Sequence, residues 1–441
     1  MTTATVKLWG TVIGYISMSH TERHARFEYD PAFVDFGIEP APLHMPARKG
    51  RVYQFDDLHP RSFHGLPGMI ADSLPDKYGN RLIDIWLTQT GRDQSDFNAV
   101  DRLCYTGTRG MGALEFEPAI ETTTTKEAQL EMRDLIRLAA MAFADREALN
   151  TKLAPERGYN PLMDILSVGT SAGGARAKAV IAYNPKTAEV RSGQLDLPPN
   201  FEHWLIKFDG VAFSGDWGIA DPSGYGLLEY SYYLMAKACD IDMMESHVFS
   251  ENGRNHFMTR RFDRDAGRGK ESKKTGKKFI QTFAAAAHFD YYESGAYSYE
   301  QLFATMKKLD MPQRAIEEQF RRVVFNVVGC NQDDHVKNFG FMMDRQGNWD
   351  ITPAYDLCHA EGSAFTRFHQ LSINGKTTDF TIADLKHLAK YAGLPRNREK
   401  IVLEQTVDAF STWQQKAREL DIPIPLQEHV LRTLRLDWTG S

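Results

Sequence analysis

The sequence has 441 residues, of which 42% are hydrophobic, 11% aromatic and 25% charged, an ordinary composition for a folded globular protein. A chain of this length can bury two or three hydrophobic cores, so global disorder is excluded. The formal net charge of -6 gives no overall attraction to nucleic acid or to an anionic membrane, and any such contact would need a local patch.

The four cysteines lie far apart and form no C-x-x-C pair, which argues against a zinc site or a disulfide framework and favours a reducing compartment. The first nine residues lack a basic segment followed by a long apolar one, and no run of eighteen apolar residues occurs. We therefore expect a cytoplasmic protein without a membrane partner.

The N-terminal region is predicted to be rich in β-structure. Residues 6–16 alternate loosely between apolar and polar side chains and are interrupted by glycines, which predicts a hairpin or two short strands. Prolines and glycines at 65–76 predict a loop that leads into a helix over 78–87. The segment R-G-M-G-A-L at 109–114 is typical of a tight turn when taken alone. A run of threonines at 122–125 then predicts a domain boundary near residue 120.

The second region begins with a helix-like stretch at 126–144 and a loop of small residues at 167–178, followed by an apolar strand at 179–183. Small residues let backbone N–H groups approach an anion closely, so such a loop can cradle phosphates, although a plain turn is the more common explanation. It is not a Walker A loop, because Ala175 and Arg176 replace the required Lys-Ser/Thr pair.

A strand at 204–208 carries Lys207 in an apolar run, which is how a kinase presents an ammonium group to nucleotide phosphates. A strand lysine that faces solvent is otherwise more common. The next helix, predicted at 227–239, has Glu229 near its start, and kinases pair such a glutamate with the strand lysine. We predict Lys207 and Glu229 as a supporting ion pair, with compensation of the helix dipole by Glu229 as the alternative.

The segment 256–264, H-F-M-T-R-R-F-D-R, ends this region. Residues 264–278 then contain seven Lys and Arg and several glycines, and we expect a solvated, mobile insertion rather than a nucleic-acid contact, because the basic part has no aromatic residue. The remainder is predicted to be helical, with an apolar stripe over 314–328 and a capping box at 381–384. Two further helices are predicted near 401–417 and 426–436.

The chemistry is concentrated in N-Q-D-D-H-V-K-N, residues 331–338. Asp333 precedes Asn338 by five positions, the spacing of the catalytic-loop Asp and Asn in protein kinases. Two short apolar runs and the polar turn between them, within 339–352, predict a hairpin that returns Asp356 beside the first carboxylate. Two such carboxylates can hold magnesium against nucleotide phosphates.

These segments resemble the HipA family of serine/threonine kinase toxins, whose signature is N-x-D-D-H-x-K-N-F followed by T-P-x-Y-D. Residues 331–339 and 352–356 match it. Family-like sequence also occurs in L-P-D at 74–76, R-G-M-G-A-L at 109–114, S-A-G-G-A-R-A-K at 171–178 and R-R-F-D-R at 260–264. The chain departs from the family at Arg260, where Glu is usual. Gln332 stands where the H-R-D of eukaryotic-type kinases has Arg, and G-x-G-x-x-G, D-F-G and A-P-E do not occur.

The resemblance implies an α+β, bilobal protein-kinase-like fold with ATP in the cleft between the lobes. An extra β-containing subdomain would occupy residues 1–120, the ATP-binding N-lobe 121–262, the basic loop 263–278, and an all-helical C-lobe with the catalytic loop 279–441. It further implies ATP- and Mg²⁺-dependent phosphorylation of serine or threonine in a protein, with autophosphorylation.

The same resemblance implies a role for each site residue. Asp333 would accept or orient the hydroxyl proton, Asn338 and Asp356 would hold Mg²⁺, and Ser171 would be autophosphorylated. His335 would be a positioned hydrogen-bonding group or part of the nucleotide site, unless it only anchors the loop. The implied ATP contacts are Gly173, Gly174, Ala175, Arg176, Ala177, Lys178, Lys207, Arg260, Phe262 and Tyr355.

The family further implies the toxin of a bacterial toxin–antitoxin pair. Its partner would be a small DNA-binding antitoxin, DNA would be contacted only through that complex, and the substrate would be a translation component such as an aminoacyl-tRNA synthetase. Two other classes stay open. Asp333, Asp334 and His335 could be metal ligands of a phosphohydrolase, which would need further clustered ligands. The second class is a non-catalytic module that binds nucleotide or DNA. The presence of Asp333, Asn338 and Asp356, the residues that catalysis needs, argues against it.

Overall fold

The computed structural model describes residues 1–75, 77–89, 91–93, 97–120, 177–193, 197, 200–210, 223–265, 276–362 and 365–438. The chain divides into two compact units. The first comprises Met1–Ile38, Ala47–Ser223 and His247–Phe279, and the second comprises Glu39–Pro46, Gly224–Ser246 and Ile280–Ser441. Within the described ranges, every helix is too short or too polar to cross a lipid bilayer.

The first unit begins with a five-stranded antiparallel sheet in the order β4-β3-β2-β1-β5. Its strands are β1 (Thr2–Leu8), β2 (Thr11–Met18), β3 (Arg26–Tyr29), β4 (Val52–Tyr53) and β5 (Leu114–Glu117). β1 and β2 pair from Thr2 opposite Met18 to Leu8 opposite Thr11, around Gly10 in the left-handed conformation that glycine tolerates. The predicted N-terminal hairpin is therefore confirmed.

Among the described residues of the first unit, the helices beside this sheet are Pro31–Val34, Pro60–Phe63, Gly68–Ala71, Lys77–Gln89 and Ala99–Thr106. The helix predicted at 78–87 is confirmed. The stretch 65–76, predicted as a loop, contains one helical turn at Gly68–Ala71. The helix predicted at 126–144 lies outside the described residues.

A second five-stranded sheet follows in the first unit, in the order β7-β6-β8-β10-β9. Its strands are β6 (Lys178–Asn184), β7 (Glu189–Ser192), β8 (Glu202–Lys207), β9 (Ser246–Glu251) and β10 (Arg254–Arg260). The strands predicted at 179–183 and 204–208 are therefore confirmed. β8 is central because both β6 and β10 pair with it in antiparallel register, which places the apolar run of β8 in the core.

The second unit is mainly helical. Its helices are Tyr225–Ala238, Phe283–Ala287, Tyr299–Lys308, Gln313–Val328, Ile382–Ala392, Arg398–Ser411, Trp413–Glu419 and Ile424–Thr433. The predicted apolar stripe of Gln313–Val328 is buried in the core. Helix Ile382–Ala392 begins with the predicted capping box of Thr381 and Asp384 and ends at Gly393 in the left-handed conformation.

The expectation of an all-helical C-terminal lobe is wrong in detail, because this unit also contains strands. β11 (Phe279–Thr282), β13 (Gly340–Met343) and β14 (Trp349–Ile351) form a three-stranded sheet, and β12 (Tyr297–Ser298) pairs in parallel with β15 (Leu371–Ser372). β13 and β14 are the hairpin predicted after the catalytic loop, and β11 supplies a third strand, since an isolated hairpin is only marginally stable.

Candidate catalytic site

The catalytic loop leaves the C-terminal end of helix Gln313–Val328. Within it, the neighbouring carboxylates Asp333 and Asp334 have opposite environments. The side chain of Asp333 is 44% exposed, whereas that of Asp334 is 0% exposed. Both oxygens of Asp334 accept hydrogen bonds, from the Tyr299 hydroxyl at 2.6 Å, from His369 Nδ1 at 2.8 Å and from the Gln370 backbone N–H at 2.6 Å. Only Asp333 is accessible to a substrate.

This arrangement removes the basis for the phosphohydrolase alternative. That alternative needs Asp333, Asp334 and His335 as ligands of one metal ion, but Asp334 faces the protein interior and is saturated by protein donors. Among the described residues, no group of three or more His, Cys, Asp and Glu side chains could hold a metal ion.

Asn338 closes the loop on Asp333. Its side-chain Nδ2 donates to the carbonyl oxygen of Asp333 at 2.7 Å, and its backbone N–H donates to the carbonyl of His335 at 2.8 Å. The five-residue spacing therefore corresponds to one closed turn. Since the amide nitrogen holds the loop, the amide oxygen is the atom that could bind a cation.

His335 anchors the same turn and faces the exposed carboxylate. Its Nδ1 accepts a hydrogen bond from the Lys337 backbone N–H at 3.2 Å, so the ring hydrogen is on Nε2. That Nε2 lies 3.8 Å from Asp333 Oδ1. The rings of Tyr291 and Phe365 have their centroids 5.9 and 6.1 Å from the imidazole. His335 thus serves as a loop anchor and also presents a donor toward Asp333.

The predicted hairpin returns the chain to the catalytic loop. Tyr355 donates its hydroxyl to the Lys337 carbonyl at 2.9 Å, and Asn331 Nδ2 lies 3.5 Å from the Asp356 carbonyl. Gly340 is needed at the base of the hairpin because a Cβ there would lie 2.8 Å from Thr352 Oγ1.

Asp356 itself has a φ of +52°, in the left-handed region that few residues other than glycine adopt. Such a conformation costs of order 1–3 kcal/mol and persists where the surroundings enforce it, which is frequent at functional sites.

A buried arginine, which the sequence reasoning missed, fixes the start of the T-P-A-Y-D segment. Arg322 is 5% exposed and donates to the Thr352 carbonyl at 2.9 Å, while its Nε contacts Glu318 at 3.0 Å. Burial lowers the pKa of this guanidinium, and the neighbouring Glu318 opposes that change. The sequence does contain an indication of this contact: Arg322 is a charged residue within the apolar stripe of helix Gln313–Val328, and a buried charge requires a partner.

The first unit holds the residues predicted to contact nucleotide, except Tyr355. Lys178 and Lys207 lie directly opposite each other on β6 and β8, so both side chains are on the same face of the sheet. Lys178 is only 2% exposed, and the Nζ atom of Lys207 lies 5.8 Å from the ring centroid of Phe257. Ala177 is buried, and its carbonyl accepts from the Phe208 N–H.

Several predicted site residues stay predictions. Ser171, Gly173, Gly174, Ala175 and Arg176 lie outside the described residues. Glu229 is 2% exposed on helix Tyr225–Ala238, and its ion pair with Lys207 is likewise a prediction.

Arg260, at the position where the family usually has Glu, lies opposite Trp204 in the pairing of β10 with β8. Its guanidinium is 3.9 Å from Glu202, and both side chains are 31% exposed. Phe262 beyond it is half-buried. Arg260 therefore compensates an acidic residue of its own sheet.

Asp263 is the centre of a buried ionic network that the sequence reasoning also missed. Arg261 donates to it at 2.7 and 2.9 Å, Arg264 contacts it at 2.5 Å, and the Gly112 backbone N–H donates at 2.8 Å. Burial alone would raise the pKa of this carboxyl, but the charges of Arg261 and Arg264 outweigh burial and lower it. Arg264 also donates to the Gly110 carbonyl at 2.7 Å, so R-G-M-G is a docking segment for R-R-F-D-R.

The expectation of a solvated basic loop is wrong at Arg264, and Lys277 is partly buried, whereas Lys278 is 42% exposed. The side chain of Arg264 is 6% exposed, and burial followed by the charge of Arg261 lowers its pKa to about 10. Lys277 donates to Glu115 and to the Thr108 carbonyl, both at 2.6 Å. Partners in the N-terminal subdomain compensate both charges. Residues 266–275 lie outside the described residues.

Comparison with protein families accounts for most of the chain. The HipA N-terminal domain matches residues 4–117, and the HipA-like C-terminal domain matches residues 170–413, more than half of the sequence. The chain belongs to the HipA family. Comparison with curated proteins gave no match.

The HipA-family fold is also seen among solved structures. The toxin–antitoxin system HipA of Shewanella oneidensis MR-1, solved with HipB and operator DNA, is similar with a TM-score of 0.67 and 16% identity, over 98% of this chain and 95% of that chain. The proinflammatory kinase CtkA of Helicobacter pylori gives a TM-score of only 0.33 at 10% identity, over 59% of this chain and 94% of that chain. This similarity is too weak to indicate a shared fold. The likeness to HipA confirms the predicted α+β, kinase-like fold.

Proposed function

We propose that this HipA-family protein is an ATP- and Mg²⁺-dependent serine/threonine protein kinase and the toxin of a toxin–antitoxin pair. The observation that carries the proposal is the half-exposed Asp333, whose backbone is held by Asn338 and whose carboxylate faces Nε2 of His335. A carboxylate at this place suits a residue that orients an attacking hydroxyl group and accepts its proton.

The candidate Mg²⁺ ligands are the amide oxygen of Asn338 and the carboxylate of Asp356. Oxygen atoms from one or two acidic or amide side chains, together with phosphate oxygens, are the ligands that Mg²⁺ prefers. When bound, the ion would neutralise charge on the transferred phosphoryl group.

Lys178 and Lys207 are proposed to contact the nucleotide phosphates. They lie directly opposite each other on the same face of the sheet, so a bound polyphosphate would reach both ammonium groups. The small-residue loop before Lys178 would cover the phosphates. Arg260 and Phe262 would contact the base and ribose mainly through their backbone and through the Phe262 ring. Tyr355 would contribute only its ring, because its hydroxyl already donates to the Lys337 carbonyl.

The proposed partner is a small DNA-binding antitoxin. The S. oneidensis relative was solved with HipB and operator DNA, which supports such a partner for a chain of the same family and fold. The net charge of -6 supports DNA contact through the antitoxin rather than by this chain, because phosphate binding depends on clustered Lys and Arg. The substrate is proposed to be a Ser- or Thr-containing protein of the translation apparatus.

The test is transfer of γ-labelled phosphate from Mg-ATP to the protein itself and to added casein. We expect Asp333→Asn to abolish transfer while Mg-ATP affinity persists, because an amide cannot accept the hydroxyl proton but the phosphate contacts are elsewhere. Asp350→Asn is the control, since Asp350 pairs with the exposed Arg314 and otherwise accepts a hydrogen bond from the N–H of its neighbour Ile351.

Near wild-type transfer by Asp333→Asn would contradict the assignment. Label released to water by the wild-type protein would indicate a hydrolase instead, and neither transfer nor release would indicate a binding module.

A further inference from the structure

The fully buried Asp334 occupies an unusual place for an ionisable group. It directly follows Asp333, yet its carboxylate accepts three hydrogen bonds in the interior of the second unit. An ionised carboxylate is costly to bury unless such donors compensate it. All three donors come from residues 35 or 36 positions away, so the cost is offset by segments distant in the sequence.

The network continues from Asp334 toward the backbone of Asp356. Tyr299 donates to Asp334 and accepts from Asn326 Nδ2 at 3.3 Å. Asn331 Nδ2 donates to Asn326 Oδ1 at 3.0 Å and lies 3.5 Å from the Asp356 carbonyl. Burial, followed by the charge of Asp334, raises the pKa of Tyr299 well above its usual value, so the hydroxyl keeps its proton and remains a donor. Buried hydrogen bonds thus link Asp334 to Asn331, whose side-chain Nδ2 lies 3.5 Å from the backbone carbonyl of Asp356.

A second branch reaches the peptide that precedes Asp333. The Gln370 N–H binds Asp334, and its side-chain Nε2 donates to the Phe368 carbonyl at 2.9 Å and lies 3.4 Å from the Gln332 carbonyl. The Ser294 hydroxyl donates to the side-chain oxygen of Gln370. Asp334 therefore holds both its own loop and the segment that ends at Gln370, and the two cannot shift independently.

We propose that Asp334 is the positioning residue of the catalytic loop. It touches neither substrate nor nucleotide. Because Asp333 and Asp334 point in opposite directions from adjacent Cα atoms, anchoring Asp334 in the interior sets the direction in which Asp333 projects. The hydrogen-bond chain through Asn331 simultaneously restrains Asp356. This inference rests on the proposed kinase function for its kinetic consequence, and on the structure alone for its conformational consequence.

Asp334→Asn is the informative substitution because it conserves volume while replacing a charged double acceptor by a neutral amide with a single acceptor oxygen. All three neighbours of Asp334 are donors: the Tyr299 hydroxyl, His369 Nδ1–H and the Gln370 N–H. An asparagine is neutral and offers one acceptor oxygen, so its NH₂ group finds partners only if the Tyr299 hydroxyl becomes the acceptor and His369 changes tautomer. We expect these weaker, rearranged hydrogen bonds to let the loop shift. A misplacement of about 1 Å at a catalytic group can lower the rate about 100-fold.

Asp384→Asn is the matched control. Asp384 is a carboxylate of the same unit, 2% exposed, which accepts hydrogen bonds from Asn374, Lys376 and Thr381 at the start of helix Ile382–Ala392. Its replacement should lower thermal stability without altering the catalytic loop. Comparison of the two variants separates a positioning role from a general loss of stability.

The kinetic experiment measures phosphoryl transfer, Mg-ATP affinity and melting temperature for both variants. We expect kcat to fall about 100-fold in Asp334→Asn, with Mg-ATP affinity changed less than about threefold, and near wild-type kcat in Asp384→Asn. Tyr299→Phe, which removes one donor and keeps the ring, should give a smaller decrease in kcat and serves if Asp334→Asn does not fold. Wild-type kcat in a folded Asp334→Asn or Tyr299→Phe, or an equal loss in Asp384→Asn, would overturn the proposal.

Amide hydrogen exchange provides the readout that does not depend on activity. In Asp334→Asn we expect faster exchange in peptides covering 330–339 and 368–372, including the Gln370 amide, with no such change in Asp384→Asn. Unchanged exchange in Asp334→Asn would overturn the proposal. If the wild-type protein transfers no phosphate, the proposed function fails, and hydrogen exchange alone decides the role of Asp334.

Discussion

The ionic network around Asp263 predicts a large and pH-dependent effect on stability. In Asp263→Ala, the buried guanidinium groups of Arg261 and Arg264, 2% and 6% exposed, lose their shared carboxylate. The Gly112 N–H loses its acceptor at the same time. Breaking a buried ion pair by removing one partner typically costs about 3–5 kcal/mol, because an uncompensated buried charge remains.

For a domain of about 150–250 residues, each kcal/mol corresponds to about 2–4 °C in melting temperature, so Asp263→Ala should lower it by about 6–20 °C. Asp35→Ala is the control. Asp35 pairs with Lys49 at 2.6 Å, but its side chain is 66% exposed, and an exposed pair contributes about 0–1 kcal/mol. Scanning calorimetry is the suitable assay because it can separate the transitions of the two units.

The pH dependence has a defined sign. The pKa of Asp263 is lower in the folded protein than in the unfolded chain, because Arg261 and Arg264 outweigh the effect of burial. Its stabilisation is therefore complete above the unfolded pKa of about 4 and is lost as the pH falls toward the lowered folded value. The stability difference between wild type and Asp263→Asn should decrease below about pH 4. A difference that does not change with pH, or an Asp263→Ala effect no larger than that of Asp35→Ala, would refute the reasoning.

Two further predictions concern nucleotide and regulation. Asp356→Ala should weaken Mg-ATP binding at least about tenfold in calorimetry, because loss of a metal carboxylate leaves phosphate charge less neutralised; unchanged affinity would exclude the role. Incubation with Mg-ATP should phosphorylate Ser171 in wild type and not in Asp333→Asn, as mapped by mass spectrometry, and lower ATP affinity through the added negative charge. Phosphate on Thr170 alone, or an unmodified Ser171 beside phosphorylated casein, would contradict the second prediction.

The sequence by itself determined the local elements of this protein. The hairpin β1–β2, the strands β6 and β8, the stripe on helix Gln313–Val328 and the Thr381 capping box follow from periodicity, turn residues and caps, which act over a few positions. The closed turn from Asp333 to Asn338 is also a local element, because the Asn338 side chain bonds to the Asp333 carbonyl only five positions away. The family signature extended this local information to the fold.

Only the tertiary structure decided which polar residues are buried together. Asp333 and Asp334 are identical in type and adjacent, and only distant donors, Tyr299 and His369, make one of them interior. Likewise, Asp263 meets Gly112 across 151 positions. Arg264 was predicted to be solvated because the sequence shows its charge but does not show that Gly110 lies beside it in the fold. Contacts of this kind have no periodicity, and a buried charge is stable only where the fold brings several donors or acceptors to one point.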